Sequence, residues 1–397
     1  MMQSNKSAAT AQWTAKAGLY FVLLFGAVNL FADFSYEGAR SVSGPFLAGL
    51  GASALVAGLV GGSGELLGYT LRLASGFWAD KSRRYWAITI LGYLLQMTVI
   101  PLLALAGSWQ VAAALMILER VGKATRNPPR DVMLSEAGTY MGRGWAFGVN
   151  EALDQIGAFL GPLAVAGIFA LRGDYRPAFA WLALPAVAVL LLVLAARWKF
   201  PQSANIPPAP HAEGKSGHPP AFWWYAIASA LVAFGFSDYA LIAFHFAKSH
   251  AVSQVAIPVA YAFSMLAGGA GSLIAGKVYD HFGLIILVPL TILIAGFAPL
   301  VFLATGNLAI AGVLLWGLGL GVHESIMPAA VAAMIPAHRR AAAYGIFTTI
   351  FGVAWFLGSA LQGWLYGISI PALMAVAVIA QMLAVVPLAY AANLLRA

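Results

Sequence analysis

The chain of 397 residues has no cysteine, and only 9% of its residues are charged. The first absence removes disulfides, thiolate metal sites and cysteine nucleophiles. The second excludes an ordinary water-soluble domain, which carries roughly a quarter charged residues. Local catalytic signatures are missing as well. There is no His-Glu-x-x-His, no Walker phosphate loop, and the 11 methionines do not pair in the way a copper(I) path would need. Gly317-Leu318-Gly319-Leu320-Gly321 lies inside an apolar run with no strand before it, so it reads as helix packing, not as a nucleotide loop. An enzyme, a resident metal, an organic cofactor and direct ATP drive are therefore not expected. A net charge of +8 would suggest a nucleic-acid partner in a soluble protein, but here the placement of the charges carries the information, and no such partner is expected.

What is abundant is apolar: 61% of residues are hydrophobic and the mean hydropathy is +0.83. A bilayer core about 30 Å thick takes about 20 helical residues to cross. Windows of that kind fall at 17–39, 46–75, 85–106, 109–127, 144–170, 177–198, 222–247, 255–276, 283–304, 308–333, 342–366 and 370–393. The expectation is an all-α membrane protein with twelve transmembrane helices. Most Lys and Arg fall in segments on the side of the N-terminus, and only Arg40, Arg172, Arg176 and Lys248 on the other, which predicts that both termini are cytoplasmic. The first apolar run has no small-residue cleavage site and reads as a retained helix.

The polar, proline-rich stretch 200–220 divides the spans into a bundle over 1–199 and a bundle over 221–397, and reads as a cytoplasmic linker. The two halves repeat. Gly76-Phe77-Trp78-Ala79-Asp80 returns 200 residues later as Gly276-Lys277-Val278-Tyr279-Asp280; Ala146-Phe147-Gly148 and Phe159-Leu160-Gly161 return 197 residues later as Ala343-Tyr344-Gly345 and Phe356-Leu357-Gly358. Duplicated six-helix halves place a substrate path at their interface, near the bilayer midplane.

The loop Gly76-Phe77-Trp78-Ala79-Asp80-Lys81-Ser82-Arg83-Arg84 resembles the cytoplasmic motif G-x-x-x-D-x-x-G-R-[RK] of the major facilitator superfamily, with Ser82 in place of the later glycine. Its second copy keeps Gly276, Asp280 and Gly283 without the basic pair. Gly157-Ala158-Phe159-Leu160-Gly161-Pro162 resembles the superfamily's G-x-x-x-G-P antiporter motif, although the paired glycines that usually follow are absent. The resemblance runs over essentially the whole chain. It implies the superfamily fold, two pseudo-symmetric bundles that alternate access, and a small-molecule substrate. In physical terms, Asp80 could complement a helix N-terminus, while Arg83 and Arg84 could pair with the neighbouring bundle and clasp one conformation, or the three could form a solvated turn. Gly157 and Gly161 share a helix face and allow close approach with a bend at Pro162, for packing alone or for coupling.

Each ionisable residue at bilayer depth is a functional candidate, since a charge at the centre costs at least about 2.5–3.5 kcal/mol on insertion scales. The spans hold eight carboxylates, Asp33, Glu37, Glu65, Glu119, Glu151, Asp154, Asp238 and Glu324, against two arginines, Arg72 and Arg120, with His245 and His323. Asp33, Glu37 and Arg40 form a stripe at the outer end of span 1 that suits a structural ion pair. Glu65 is expected in the cavity, and Arg72 is free to reach the cytoplasmic surface. Glu119 and Arg120 are adjacent, point about 100° apart, and are expected to pair with neighbouring helices. Glu151 and Asp154, three apart, are expected to share a proton in a low-dielectric setting, with Arg120 opposing it. A static salt-bridge cluster between spans 4 and 5 is the competing explanation. Asp238, His245, His323 and Glu324 complete the proton-coupling and cavity set, with the histidines as relays or as simple hydrogen-bonded core residues. Tyr36, Tyr69, Phe147, Tyr239 and Trp355 are available to line the cavity.

The acidic excess favours a cationic or amphipathic cationic solute. The sequence-level expectation is thus a monomeric, proton-coupled secondary transporter of a bacterial inner membrane, driven by the proton gradient and exporting by antiport. Proton-coupled uptake of a polar metabolite or metal chelate is the second reading, and a non-transporting membrane sensor on the same fold the third.

Overall fold

The structure, a computed structural model, describes residues 14–140, 142–201, 217–336 and 339–395, so most of the expected linker lies outside the described residues. Among the described residues there is no strand. The first half contains α1 (Ala15–Arg40), α2 (Ser43–Gly49), α3 (Ala54–Ser82), α4 (Tyr85–Leu102), α5 (Trp109–Ala137), α6 (Arg143–Arg172), α7 (Tyr175–Trp181) and α8 (Ala183–Lys199). The second contains α9 (Pro220–Gly235), α10 (Tyr239–Ser249), α11 (Ala256–Phe282), α12 (Leu287–Ala295), α13 (Phe297–Leu303), α14 (Gly306–Met334), α15 (Arg340–Tyr366) and α16 (Ile370–Leu394). Starts follow side-chain capping: Thr14, Ser53, Ser108 and Ser369 accept from the backbone N–H three residues on, opening α1, α3, α5 and α16.

Ten stretches are long and apolar enough to cross a membrane. One of them, Ala256–Leu303, spans 48 residues. It turns back after Phe282, since the Gly306 N–H beyond its far terminus bonds the Ala251 carbonyl just ahead of its start at 2.8 Å. A further helix, α5, is 29 residues long and crosses the same bundle, but carries too many charges to count by hydropathy. Doubling the long stretch and adding α5 reconciles ten with the twelve crossings expected. The outward faces carry large apolar side chains, Leu171, Leu191, Leu273 and Val386 among them, which lipid rather than water accommodates. This is an integral membrane protein.

The repeat seen in the sequence is a repeat of contacts. A Cβ added to Gly161 on α6 would collide with the Phe34 carbonyl of α1; one added to Gly358 on α15 would collide with the Phe234 carbonyl of α9. Each half therefore locks its first and fifth spans together backbone to backbone. Gly157, against Leu30 and Phe34, extends the same seam in the first half.

Three elements depart from the expected spans. The stretch 222–247 is not one helix: the chain breaks after α9, and Asp238 restarts it by accepting the Ala240 N–H at 2.9 Å. Span 2 begins eight residues later than expected, because α2 forms a separate short helix before it. And α5 runs ten residues past 127, through Pro128 and Pro129. Proline has no N–H to bond the carbonyl four residues back; the Ala124 carbonyl that Pro128 leaves free is taken by the Ser75 hydroxyl of α3 at 3.0 Å.

Candidate functional site

α1, α4, α9 and α15 start at one end of the molecule, where the linker also attaches; Lys199 at the end of α8 lies over the Tyr20 ring, and Arg339 reaches the Gly217 carbonyl. At the opposite end the halves are sealed. Gly44 of α2 abuts the backbone of Ala240 and Phe244, Gly58 abuts Ser359, and the Tyr175 hydroxyl donates to Gln254 Oε1 at 2.8 Å. Between the two ends lies a chamber of about 340 Å³, lined from the first half by α1, α3, α5 and α6 and from the second by Met265, Leu320 and Glu324. A lobe of about 420 Å³, between α6, α11 and α14, shares Glu151, Gln155, Met265, Leu320 and Glu324 with it. Glu151 and Glu324 are exposed to this space, so the chamber opens toward the linker end and is closed at the other.

Its floor is an ion network. Arg40 Nη2 donates to Glu65 Oε1 at 3.3 Å and lies 3.6 Å from Asp238 Oδ2, bridging the two halves. Arg120 lies 3.6 Å from Glu65 Oε1 and also donates to the Tyr36 hydroxyl, whose ring it overlies. Gln96 Nε2 donates to Glu119 Oε1 at 2.6 Å. The Tyr261 hydroxyl of α11 donates to Glu37 Oε2 of α1 at 2.5 Å, a further bond between the halves. Below this, Asp33 has Lys123 Nζ at 3.8 Å and Arg126 Nη2 at 3.6 Å. Arg126 is fully buried and held by Gln96 Oε1 at 2.6 Å and by the Tyr93 hydroxyl at 3.0 Å, over whose ring it lies. Arg130 binds Asp131 at 2.6 Å and Asn29 at 3.0 Å. Asp154 of α6 lines the chamber together with Asp33 of α1.

Of the expected site residues, Glu65, Arg120, Glu151, Asp154 and Glu324 line the chamber, and Glu119 lies just behind it with Arg120 and Asp238 around a void of about 40 Å³. Several details correct the sequence expectations. Glu119 and Arg120 reach neighbouring helices, Glu119 meeting Gln96 of α4 and Arg120 meeting Glu65 of α3, and they also meet each other, with Arg120 Nε 3.6 Å from Glu119 Oε2. Glu151 accepts from Gln155, one turn further along its own helix, at 3.0 Å, and Asp154 lines the chamber with Asp33 of α1. Asp238 is a helix cap and a cross-half ion partner. His245 is outside the chamber, its Nδ1 3.1 Å from the Tyr366 hydroxyl and its ring packed near Phe302. His323 is buried beside the chamber, against the aromatic side of α9 and α15. Tyr36, Tyr69 and Trp355 line these spaces; Tyr239 is in the core, donating to the Ile257 carbonyl at 2.7 Å.

The count of eight carboxylates against two arginines does not survive. Arg40, Lys123, Arg126 and Arg130 join Arg72 and Arg120 in lining the chamber, because α1 and α5 keep these four on inward faces. The motif residues sit apart from it. Asp80 accepts from the Tyr85 hydroxyl at 2.8 Å within its own hairpin, and Arg83, with φ of 57°, ends α3 in the left-handed region. Arg84 follows at the start of α4, and Gly276 and Asp280 lie near the end of α11. Gly157, Gly161 and Pro162 form the α1–α6 seam.

Residues 23–359 match the family described as Major Facilitator Superfamily. An uncharacterized protein of Mycobacterium tuberculosis is 43% identical over 376 residues, covering 92% of this chain and 91% of that one. An uncharacterized MFS-type transporter of Methanocaldococcus jannaschii is 36% identical over 141 residues, 35% of each chain. Among solved structures, a bacterial homolog to human lysosomal transporter Spinster, inward-facing and unoccupied, superposes with a TM-score of 0.67 at 16% identity, covering 95% of this chain and 96% of that one. A mutant of the peptide transporter POT in complex with sulfate does so with a TM-score of 0.74 at 15% identity, covering 94% of each. This family match defines a membrane transporter, not an enzyme. The chain belongs to the major facilitator superfamily.

Proposed function

We propose that the protein is a proton-coupled secondary transporter that exports a small cationic or amphipathic solute in exchange for protons, with both termini in the cytoplasm. One observation carries this reading. Glu151, Asp154 and Glu324, contributed by both halves, face a common chamber and form no ion pair among the described residues, whereas Asp33, Glu65, Glu119, Asp131 and Asp238 all do. A carboxylate without a fixed cation can be neutralised by a proton or by a solute cation, and not by both at once. Such competition is the condition for exchange: the solute displaces the proton on one side, and the proton displaces the solute on the other. The seal at the far end and the opening at the linker end supply one of the two conformations that alternating access needs.

Proton-coupled uptake of a polar metabolite or metal chelate is the second reading, and Arg72 favours it. Arg72 faces the same chamber with the Tyr69 ring as its neighbour at 5.8 Å and no carboxylate in ion-pair contact among the described residues, so an anionic group could find a partner there. Reconstitution into liposomes with an imposed pH gradient separates the two by the direction of solute flux. Under the first reading, Asp154→Asn and Glu324→Gln each abolish solute-driven proton movement, read by an internal pH dye. Unchanged coupling in both variants overturns it.

A further inference from the structure

Off the chamber, on its second-half side, is a narrow slot of about 10 Å³, room for a single water-sized group. It is built from pairs one helical turn apart, each presenting one face: Glu65 and Tyr69 on α3, Val232 and Phe236 on α9, Leu320 and Glu324 on α14, Phe351 and Trp355 on α15. His323 completes it. Four rings surround the space in a chain of contacts: Tyr69 to Phe351 at 5.8 Å, Phe351 to Trp355 at 5.8 Å and Trp355 to Phe236 at 5.3 Å. Tyr69 comes from the first half and reaches this group because Gly352 lets α3 and α15 approach closely.

Two polar atoms in this wall have no hydrogen-bond partner: Trp355 Nε1 and His323 Nε2, on side chains 3% and 7% exposed. Buried orphans of this kind are costly in a finished core and call for an explanation. At the mouth stands Glu324, a carboxylate without an ion-pair partner among the described residues. Aromatic walls, room for one small group and a counter-charge at the rim are together the chemistry that recognises the tip of an N-alkylated ammonium group.

We propose that the slot formed by Tyr69, Phe236, Phe351 and Trp355 receives the N-methyl end of an organic ammonium solute, with Glu324 neutralising its charge and His323 and Trp355 offering polar edges to the rest of the molecule. The proposal rests on the cation reading given above and names its substrate class. Because the slot draws on α3 of one half and on α9, α14 and α15 of the other, an occupied slot ties the halves together on this side, and release requires α3 to part from α15.

The test is isothermal titration of the purified full-length protein in nanodiscs with three probes. These are choline, ethanolamine, which has the same hydroxyethyl cation without methyl groups, and 3,3-dimethylbutan-1-ol, the neutral isostere of choline. Choline is expected to bind at least about tenfold tighter than either of the others. Phe351→Leu and Tyr69→Leu each remove that preference, while Trp355→Phe, which keeps the ring and the packing, retains most of it. Glu324→Gln weakens choline and ethanolamine alike. If choline and ethanolamine bind equally and Phe351→Leu changes neither, the slot assignment is overturned while the cation reading stands. If no cation binds the wild-type protein at all, both fail together.

Discussion

The two halves share a scaffold and differ in what they put inside it. Their first and fifth spans are locked by the same glycine-on-carbonyl contact, Gly161 on Phe34 and Gly358 on Phe234. Around that seam the first half is ionic, with Arg126 fully buried among Asp33, Gln96 and Tyr93. The second half is aromatic: Trp316 is fully buried beside Phe236, Tyr239 and Tyr261, and its indole N–H donates to the Ser237 carbonyl at 2.9 Å. Backbone packing is thus a property of the duplication, while chemistry is a property of each copy.

The largest expected effect comes from damaging the ionic core. Arg126→Leu removes one of the two cations that face Asp33 and leaves Gln96 Oε1 without its donor in a buried setting, at a cost of about 3–5 kcal/mol. The expected outcome is a collapse of folded yield and of the apparent melting temperature in detergent. Trp316→Phe, at an equally buried site of the aromatic half, should lower the melting temperature by far less, because a smaller ring and one lost hydrogen bond cost about 1–2 kcal/mol. Equal losses in the two variants would break the contrast between the halves.

The shared scaffold makes the opposite prediction. Gly161→Ala and Gly358→Ala each drive a methyl group into a facing carbonyl, and overpacking of this kind costs about 1–3 kcal/mol. Their melting-temperature losses should agree with one another, although one seam borders the ionic core and the other the aromatic core. A marked difference would mean that the seams are not equivalent.

A smaller effect is expected at the bridge between the halves. Asp238→Asn keeps an acceptor for the Ala240 N–H, and so keeps the start of α10, but removes the charge facing Arg40. The fold should survive while the sealed end opens more often. With no cysteine in the chain, pairs introduced at the far ends of α2 and α10 can carry spin labels without background, and the distance distribution between them should broaden to longer values.

The helices, the duplication and the family were legible in the sequence because they follow from long apolar runs and from glycines at fixed offset. The interior charge pattern was not. Lys and Arg near span ends read as loop residues, since lipid is costly for them, and Pro128-Pro129 reads as a helix end. What keeps α5 helical is a hydroxyl on another helix, Ser75, which no local pattern reveals. That single extension carries Arg130 into the chamber, and Arg40 enters it at the other end. The break after α9 did carry a signal, since Gly235 and then Ser237-Asp238 form a stop and a cap inside an apolar run. Where Asp154 falls relative to Asp33 depends on the register between α1 and α6, which the Gly157–Gly161 seam sets only once the backbones are in contact.

The smallest expected effect separates the two histidines. His245 is 3% exposed, bonded to Tyr366 and packed by Phe302 on the sealed side, away from the chamber lining. His323 borders the chamber with its Nε2 unbonded. His245→Gln keeps a polar group that can reach Tyr366, so transport in liposomes should change by less than about twofold, with any loss appearing as about 1 kcal/mol of stability. His323→Gln alters the wall that the solute meets, and should change the concentration at half-maximal flux more than the melting temperature. A residue buried for packing moves stability without moving affinity, and a residue buried beside a site does the reverse. If His245→Gln abolishes transport while the protein stays folded, His245 acts in transport and not in packing, and the contrast drawn between the two histidines no longer holds.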